Sequence, residues 1–298
     1  ADTGAYGNHC LTVPMNSASK SLPLFMCDNI GFDVKSYYTN TPPSGAYQGY
    51  GAPQASFAVQ MAAAELAGKL GMDAMDFIEK NRVREGSRLE ILKTLGEGRK
   101  GFAVTVKSCG LDAALEEGRK LIEWGKKVDS GDPDIKIGKA GVIIQQGSGL
   151  PGLDQACVDV KMLGDGSFMV HSGGADLGTG LDTVLAKIAA EVLCCDIDHV
   201  AVLSGDTDNT PFDTGAYASS GTFFTGNATL KAAEDLKKKI IDTAALITGK
   251  EAEALKLVHP GVVVPAGESD RGNDGEKVDF SDIAHYSQSG EGNGQLIG

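Results

Sequence analysis

Three short runs of glycine and other small residues each lead straight into a stretch with helical spacing. They are Gly45-Ala46-Tyr47-Gln48-Gly49-Tyr50-Gly51-Ala52-Pro53-Gln54, Gly173-Gly174-Ala175-Asp176-Leu177-Gly178-Thr179-Gly180 and Tyr217-Ala218-Ser219-Ser220-Gly221-Thr222. Small side chains let backbone come within hydrogen-bonding reach of a ligand. A helix N-terminus adds unpaired N–H groups and a partial positive charge, which suits an anion. One such run says little. Three in one chain predict a large, oxygen-rich ligand gripped mainly through backbone.

Glycine is abundant throughout, 40 of 298 residues, roughly twice its ordinary share and without a collagen-like period. A hydrophobic content of 42% is ample for a core, and the length admits one large or two ordinary domains. The net charge of −13 argues against nucleic acid and anionic membranes as partners, since both reward a basic surface. No run of eighteen apolar residues occurs, so no membrane-spanning helix is expected. Cys10, Cys27, Cys109, Cys157, Cys194 and Cys195 form no C-x-x-C pair. They predict buried, reduced thiols in a cytoplasmic protein rather than disulfides or a metal site. The chain opens on Ala1-Asp2-Thr3-Gly4 and closes on Gln295-Leu296-Ile297-Gly298, and both ends read as cut from a longer polypeptide.

Residues 1–52 read as short strands and loops, turning at Pro42-Pro43-Ser44-Gly45. Pro53 suits a first helical turn, and Phe57, Met61, Ala64, Leu66 and Leu70 recur at near-helical spacing to about residue 70. Further helices are predicted over 73–81 and over 108–128, the latter from Leu111, Leu115, Leu121, Ile122 and Trp124. Val142–Ile144, Ala156–Leu163 and Ser167–His171 read as strands, the last two joined by Gly164-Asp165-Gly166. A helix over 182–194, a strand over His199–Leu203 and a long helix from about 222 to 248 follow. Residues 266–277 read as a surface loop or a disordered segment. The alternation lacks βαβ regularity, so the predicted class is α+β with mixed sheets and packed helices. Asp, Gly and Pro near 129–140 place a boundary between a first part, 1–130, and a second, 140–298.

Several motifs fail on inspection. Asp2-Thr3-Gly4 and Asp213-Thr214-Gly215 resemble the paired loops of pepsin-like proteases, whose two carboxylates share a proton. Each such loop needs an apolar strand before it, and Asp2 has one residue before it. His9, His171, His199, His259 and His285 show no metal-binding spacing. Gly49-x-Gly51 lacks a third glycine, Gly178-x-Gly180 runs on into Leu-Asp-Thr, and no P-loop is present.

The three glycine runs do match a family. Thr39-Asn40-Thr41-Pro42 through Ala46-Tyr47-Gln48-Gly49-Tyr50-Gly51-Ala52-Pro53-Gln54 resembles the T-N-x-P-x-x-x-[AP]-[FY]-R-G-[FY]-G-x-P-Q segment of molybdenum hydroxylases, the xanthine dehydrogenase and aldehyde oxidoreductase family. Gly174-Ala175-Asp176-Leu177-Gly178-Thr179-Gly180-Leu181-Asp182-Thr183 is similar to its G-x-x-[DE]-[IM]-G-[QT]-G-x-x-T loop. Asp206-Thr207-Asp208-x-Thr210-Pro211, leading to Tyr217 through Thr222, resembles its third cofactor loop. The order and spacing agree from about residue 1 to 250.

The resemblance implies a molybdopterin-binding domain of the xanthine dehydrogenase type, in the central part of a large subunit. The cofactor is molybdopterin with molybdenum, in bacteria often as the cytosine dinucleotide. By position, Gln48, Gly49, Tyr50 and Gly51 lie beside the metal and pterin. Leu177, Gly178, Thr179 and Gly180 meet the dithiolene or phosphate side, and Ala218, Ser219, Ser220, Gly221 and Thr222 meet the pterin. Protein ligands to the metal are not implied. Other implied partners are the rest of the large subunit, iron–sulfur and flavin (FAD) modules, and a small-molecule substrate hydroxylated with oxygen from water.

Departures narrow the reading. Gln48 stands where many members carry Arg, and Thr179 stands where Gln is commoner. The family's base is a Glu in a late G-x-G-E-x-P segment. Here Glu97, Glu268 and Glu291 follow glycine but precede Gly98, Ser269 and Gly292, and the G-G-F-G-G-K loop is missing. The chain therefore reads as part of a hydroxylase of purines or other N-heterocycles, lacking its base. Alternatives are an aldehyde or aromatic-thioester enzyme, or a structural fragment without activity. On its own the chain is expected to be cofactor-free and inactive.

Overall fold

A helix that no apolar period announces is the first regular element of the chain. In α1 (Thr12–Ser21) the polar side chains satisfy themselves against the turn before. Asn16 Nδ2 donates to Thr12 O at 3.2 Å, Ser19 Oγ to Asn16 O at 3.0 Å and Ser21 Oγ to Ser17 O at 2.7 Å. Such back-bonding meets hydrogen-bonding needs locally, and Asn16, Lys20 and Ser21 are buried. The expectation of strands and loops alone over residues 1–52 is corrected here.

The computed structural model describes residues 1–298 except 8, 10, 94–99, 151, 217, 260, 266–276, 290, 291 and 293. Cys10, Tyr217, Glu97, Glu268, Glu291 and nearly all of the predicted 266–277 loop lie outside the described residues. The chain divides into two compact units, Ala1–Gly147 and Ser148–Gly298.

In the first unit α1 packs on α2 (Ala52–Lys69), which carries Pro in its first turn as expected. Its buried residues are Ala52, Ser56, Gln60 and Ala67, while Phe57, Met61, Leu66 and Leu70 are exposed. Small residues on the inward face allow close packing on α1. α3 (Ala74–Asn81) is capped by Asp73, whose side chain accepts from the N–H groups of Met75 and Asp76. β1 (Arg88–Leu89) pairs antiparallel with β2 (Val104–Thr105). α4 (Leu111–Leu121) is shorter than the predicted 108–128 because Glu123 and Gly125 turn left-handed, at φ 50° and 85°. Leu24, Met75, Ile78, Leu115 and Ile143 form a small core. The predicted strand Val142–Ile144 is absent. Ile143 is buried, but its carbonyl accepts from Gln60 Nε2 at 2.8 Å instead of from a strand neighbour.

The second unit begins with a hairpin, β3 (Val158–Met162) and β4 (Phe168–Ser172), in register Val160↔Val170. Gly166 makes the turn at φ 87°, where a side chain would also strike Phe280 and Ser281. α5 (Leu181–Leu193) then carries the chain to β5 (Val200–Ser204), parallel to β4 with Val170↔Val202. α6 (Gly221–Thr248) lies along α5, and Gly226 faces Ile188 where the two helices come close. A second antiparallel sheet, β6 (Leu255–Val258), β7 (Val262–Pro265) and β8 (Val278–Asp279), leads to α7 (Phe280–Gln288).

One core joins these elements. Phe168 and Val170 on β4, Leu185, Ala189 and Leu193 on α5, and Ala233, Leu236, Ile240 and Ala244 on α6 are all fully or nearly fully buried. The alternation on β4 and the three-to-four spacing on the helices give the same inward face. The architecture is α+β with mixed sheets and packed helices, as predicted.

Candidate functional site

The first glycine run belongs to the first unit. Gly49, Tyr50 and Gly51 take φ values of 88°, 42° and 83° in succession. Glycine enters that region freely, whereas tyrosine does so at a cost of about 1–2 kcal/mol. Tyr50 N–H donates to Tyr47 O at 2.9 Å and Ala52 N–H to Gly49 O at 3.0 Å, so the turn hands over directly to α2. A side chain on Gly51 would fall on the Val13 carbonyl of α1. Gln48 and Tyr47 are exposed. Tyr50 Oη is hydrogen-bonded to His9 Nδ1 at 2.6 Å and to Thr12 Oγ1.

The other two runs share the second unit and lie side by side. Leu181, the first residue of α5, faces the backbone of both Gly174 and Gly221. In the 173–180 loop Asp176 turns its carboxylate inward on the chain, and Oδ1 accepts from Gly178 N–H at 2.8 Å and Gly180 N–H at 3.1 Å. Desolvation alone would raise its pKa. The backbone donors of Gly178, Gly180, Asp182 and Thr179 outweigh that and hold it below the usual carboxylate value. Asp176 through Thr179 are exposed. Space is open wherever a Cβ would stand on Gly178 or Gly180. Asp182, one turn on, accepts from Ser204 Oγ at 3.0 Å. Its Oδ1 is buried without a hydrogen-bond partner among the described residues.

Ala218 and Ser219 are left-handed, at φ 51° and 55°, and Ala218 O accepts from Gly149 N–H at 2.9 Å. Of the six non-glycine residues with positive φ among the described residues, three (Tyr50, Ala218 and Ser219) fall in these loops. Such strain collects where backbone is shaped for a ligand. Ser220 is buried, Gly221 opens α6, and Thr222 is exposed on its first turn, which carries no acidic residue. A cleft of about 850 Å³ opens at Phe223, Phe224 and Asn227, bounded by Cys157, Asp159 and Lys231.

Other candidates take ordinary places. Asp213 Oδ1 accepts from Gly215 N–H and Oδ2 from Thr225 Oγ1, tying the D-T-G turn to α6. Asp2 likewise closes its own turn on Gly4 and Thr39. No group of three His, Cys, Asp or Glu side chains able to hold a metal occurs among the described residues. Cys195 is buried, and that burial pushes its thiol up to about 11. Cys109 and Cys194 are half-buried, whereas Cys27 and Cys157 are exposed, which corrects the expectation of uniformly buried thiols. Thr12 and Lys20 escape sequence reasoning, which reads Asp176 only as a position in the loop match and weighs His9 only as a metal ligand. The Asx position of Asp176, two residues before Gly178, was the one available signal. Among the described residues no helix is long and apolar enough to cross a membrane.

Small-residue loops thus feed the N-termini of α2 in the first unit and of α5 and α6 in the second. Residues 115–296 match the molybdopterin cofactor-binding domain family, and residues 1–82 match a second family of the same description. The chain belongs to the molybdopterin cofactor-binding domain family. It is 51% identical over its whole length to a protein named "Probable hypoxanthine oxidase XdhD" of Escherichia coli K12, covering 30% of it. To the xanthine dehydrogenase molybdenum-binding subunit of Escherichia coli O157:H7 it is 33% identical, over 89% of this chain and 35% of that protein. The chain thus spans about a third of the length of these relatives. Among solved structures, the carbon monoxide dehydrogenase of Oligotropha carboxidovorans covers all of this chain with a TM-score of 0.67. It is 17% identical, and the match takes in 39% of that chain, so it shows the fold alone.

Proposed function

We propose that the chain is the molybdopterin-binding portion of a molybdenum hydroxylase that oxidises an N-heterocycle, purine or nicotinate-like, with oxygen from water. The observation carrying this reading is the shape of the three loops: left-handed, small-residue turns that hand over to the N-termini of α2, α5 and α6. A pterin with a phosphate needs such donors. The open space at Gly178 and Gly180 and the orphaned Asp182 Oδ1 fit an extended polar group laid against the 177–180 loop.

Gln48, Gly49, Tyr50 and Gly51, then Leu177, Gly178, Thr179 and Gly180, then Ala218, Ser219, Ser220, Gly221 and Thr222 would hold the cofactor. When bound, the molybdenum cofactor supplies a two-electron acceptor and delivers oxygen derived from water. The chain's own part is to bind and orient it. Gln48 offers a neutral amide where an arginine would offer charge, and Thr179 offers a hydroxyl. The N-heterocycle assignment draws support from the relative named for hypoxanthine and from a nicotinate hydroxylase of Emericella nidulans, 24% identical over 80% of this chain and 18% of that protein. Because this chain is about a third of its relatives' length, the base, the iron–sulfur and flavin modules and the cytosine form of the cofactor belong to this proposal too.

The test is a substrate panel on the full-length protein. Hypoxanthine, xanthine and nicotinate should reduce an artificial electron acceptor at least tenfold faster than aliphatic aldehydes or an aromatic thioester. Preference for aldehydes would overturn the assignment in favour of the aldehyde reading.

A further inference from the structure

We infer that α1 and the residues leading into it position the first cofactor loop, with Lys20 and His9 as the positioning residues. This rests on the reading above that residues 48–51 meet the cofactor. Three consecutive positive φ values, one of them on a tyrosine, do not persist unless surrounding structure imposes them. What imposes them here comes from His9, Thr12, Val13 and Lys20. His9 Nδ1 and Thr12 Oγ1 both meet Tyr50 Oη, and the His9 and Tyr50 rings meet edge to face at 5.6 Å. Lys20 Nζ stands 5.9 Å from the Tyr50 ring centroid and donates to Gly49 O at 3.4 Å. Val13 O fills the space where a side chain on Gly51 would go.

The Lys20 side chain is therefore placed by α1 rather than by solvent. The residue is only 9% exposed, and an ammonium is costly to bury unless its position serves contacts such as these. Its contacts with the turn fall on adjacent residues, the carbonyl of Gly49 and the ring of Tyr50. Gln48 immediately precedes that pinned turn, so the direction in which its amide is offered follows from Lys20 and His9. They act through the loop and are not themselves catalytic.

Full-length protein carrying Lys20→Met, Lys20→Arg or Tyr50→Phe tests this by hydrogen–deuterium exchange at the Tyr50 and Ala52 amides, with molybdenum content and steady-state kinetics alongside. Lys20→Met should speed exchange there tenfold or more without changing exchange in α6. It should lower kcat about tenfold with KM within twofold, and Lys20→Arg should restore both. Tyr50→Phe, which keeps the ring and loses the hydroxyl, should speed exchange as well. Unchanged exchange in Lys20→Met and Tyr50→Phe overturns the inference, as does equal damage by Met and Arg at residue 20. If wild-type protein holds no molybdenum, the functional reading fails while the exchange comparison still decides this one.

Discussion

Asp176 shows how a single carboxylate can shape a glycine-rich loop. With Oδ1 shared by the Gly178 and Gly180 N–H groups, it keeps a glycine-rich turn from sampling the conformations that glycine otherwise allows. Its pKa in the folded chain lies below the ordinary value of 3.8. A group with a depressed folded-state pKa adds stability above its unfolded pKa and loses it as pH falls through the folded one. Asp176→Asn should therefore lower the melting temperature by a few degrees at most at pH 7, and the difference should be smaller at pH 3, below the ordinary carboxylate value of 3.8. Thermal unfolding monitored at both pH values checks this. A gap that stays constant into acid contradicts the charge-based account. At this scale the sequence was most informative about glycine and least about polar partners. The runs at Gly49, Gly178 and Gly221 were plain. The contacts His9 and Thr12 make with Tyr50 span 41 and 38 residues, and no local pattern encodes them.

Among elements, legibility followed apolar period. α5 and α6 bury a stripe at helical spacing and β4 alternates, so each could be placed within a residue or two of its observed bounds. α1, with the sequence TVPMNSASKS, has no such stripe and is held by side chain-to-backbone bonds that a hydrophobic pattern does not report. β6 and β7 are four residues each, too short for a period to speak. Ile143 misleads in the other direction, because an apolar triplet can be buried as irregular chain when a side chain such as Gln60 satisfies its carbonyl. The α5–α6 pair is the element-scale unit that fixes the second and third loops beside each other. Leu236→Ala, at a fully buried position on α6, should cost about 2–5 kcal/mol. Leu246→Ala, on the same helix but 62% exposed, should stay within about 0.5 kcal/mol. Urea unfolding of the two variants side by side measures the difference, and similar midpoints would mean that this helix face is not the core.

For the whole molecule, the order of the three loops along the chain carried the family, and the matches to residues 1–82 and 115–296 bear that out. Acidic charge and glycine content narrowed the class without naming it. The central claim is that these loops hold molybdopterin through backbone. Gly178 is the cleanest place to test it, because an added Cβ meets no protein atom there. At Gly49 and Gly51, by contrast, a Cβ would strike Pro53 or Val13. The φ of +91° at Gly178 makes Gly178→Ala cost about 1–2 kcal/mol of stability. Molybdenum per subunit, measured by mass spectrometry on purified full-length wild type and Gly178→Ala, is the deciding quantity. The account predicts metal in the wild type and at least a tenfold loss in a variant that is still folded. Wild-type protein without molybdenum, or a variant that keeps its full complement, would contradict it.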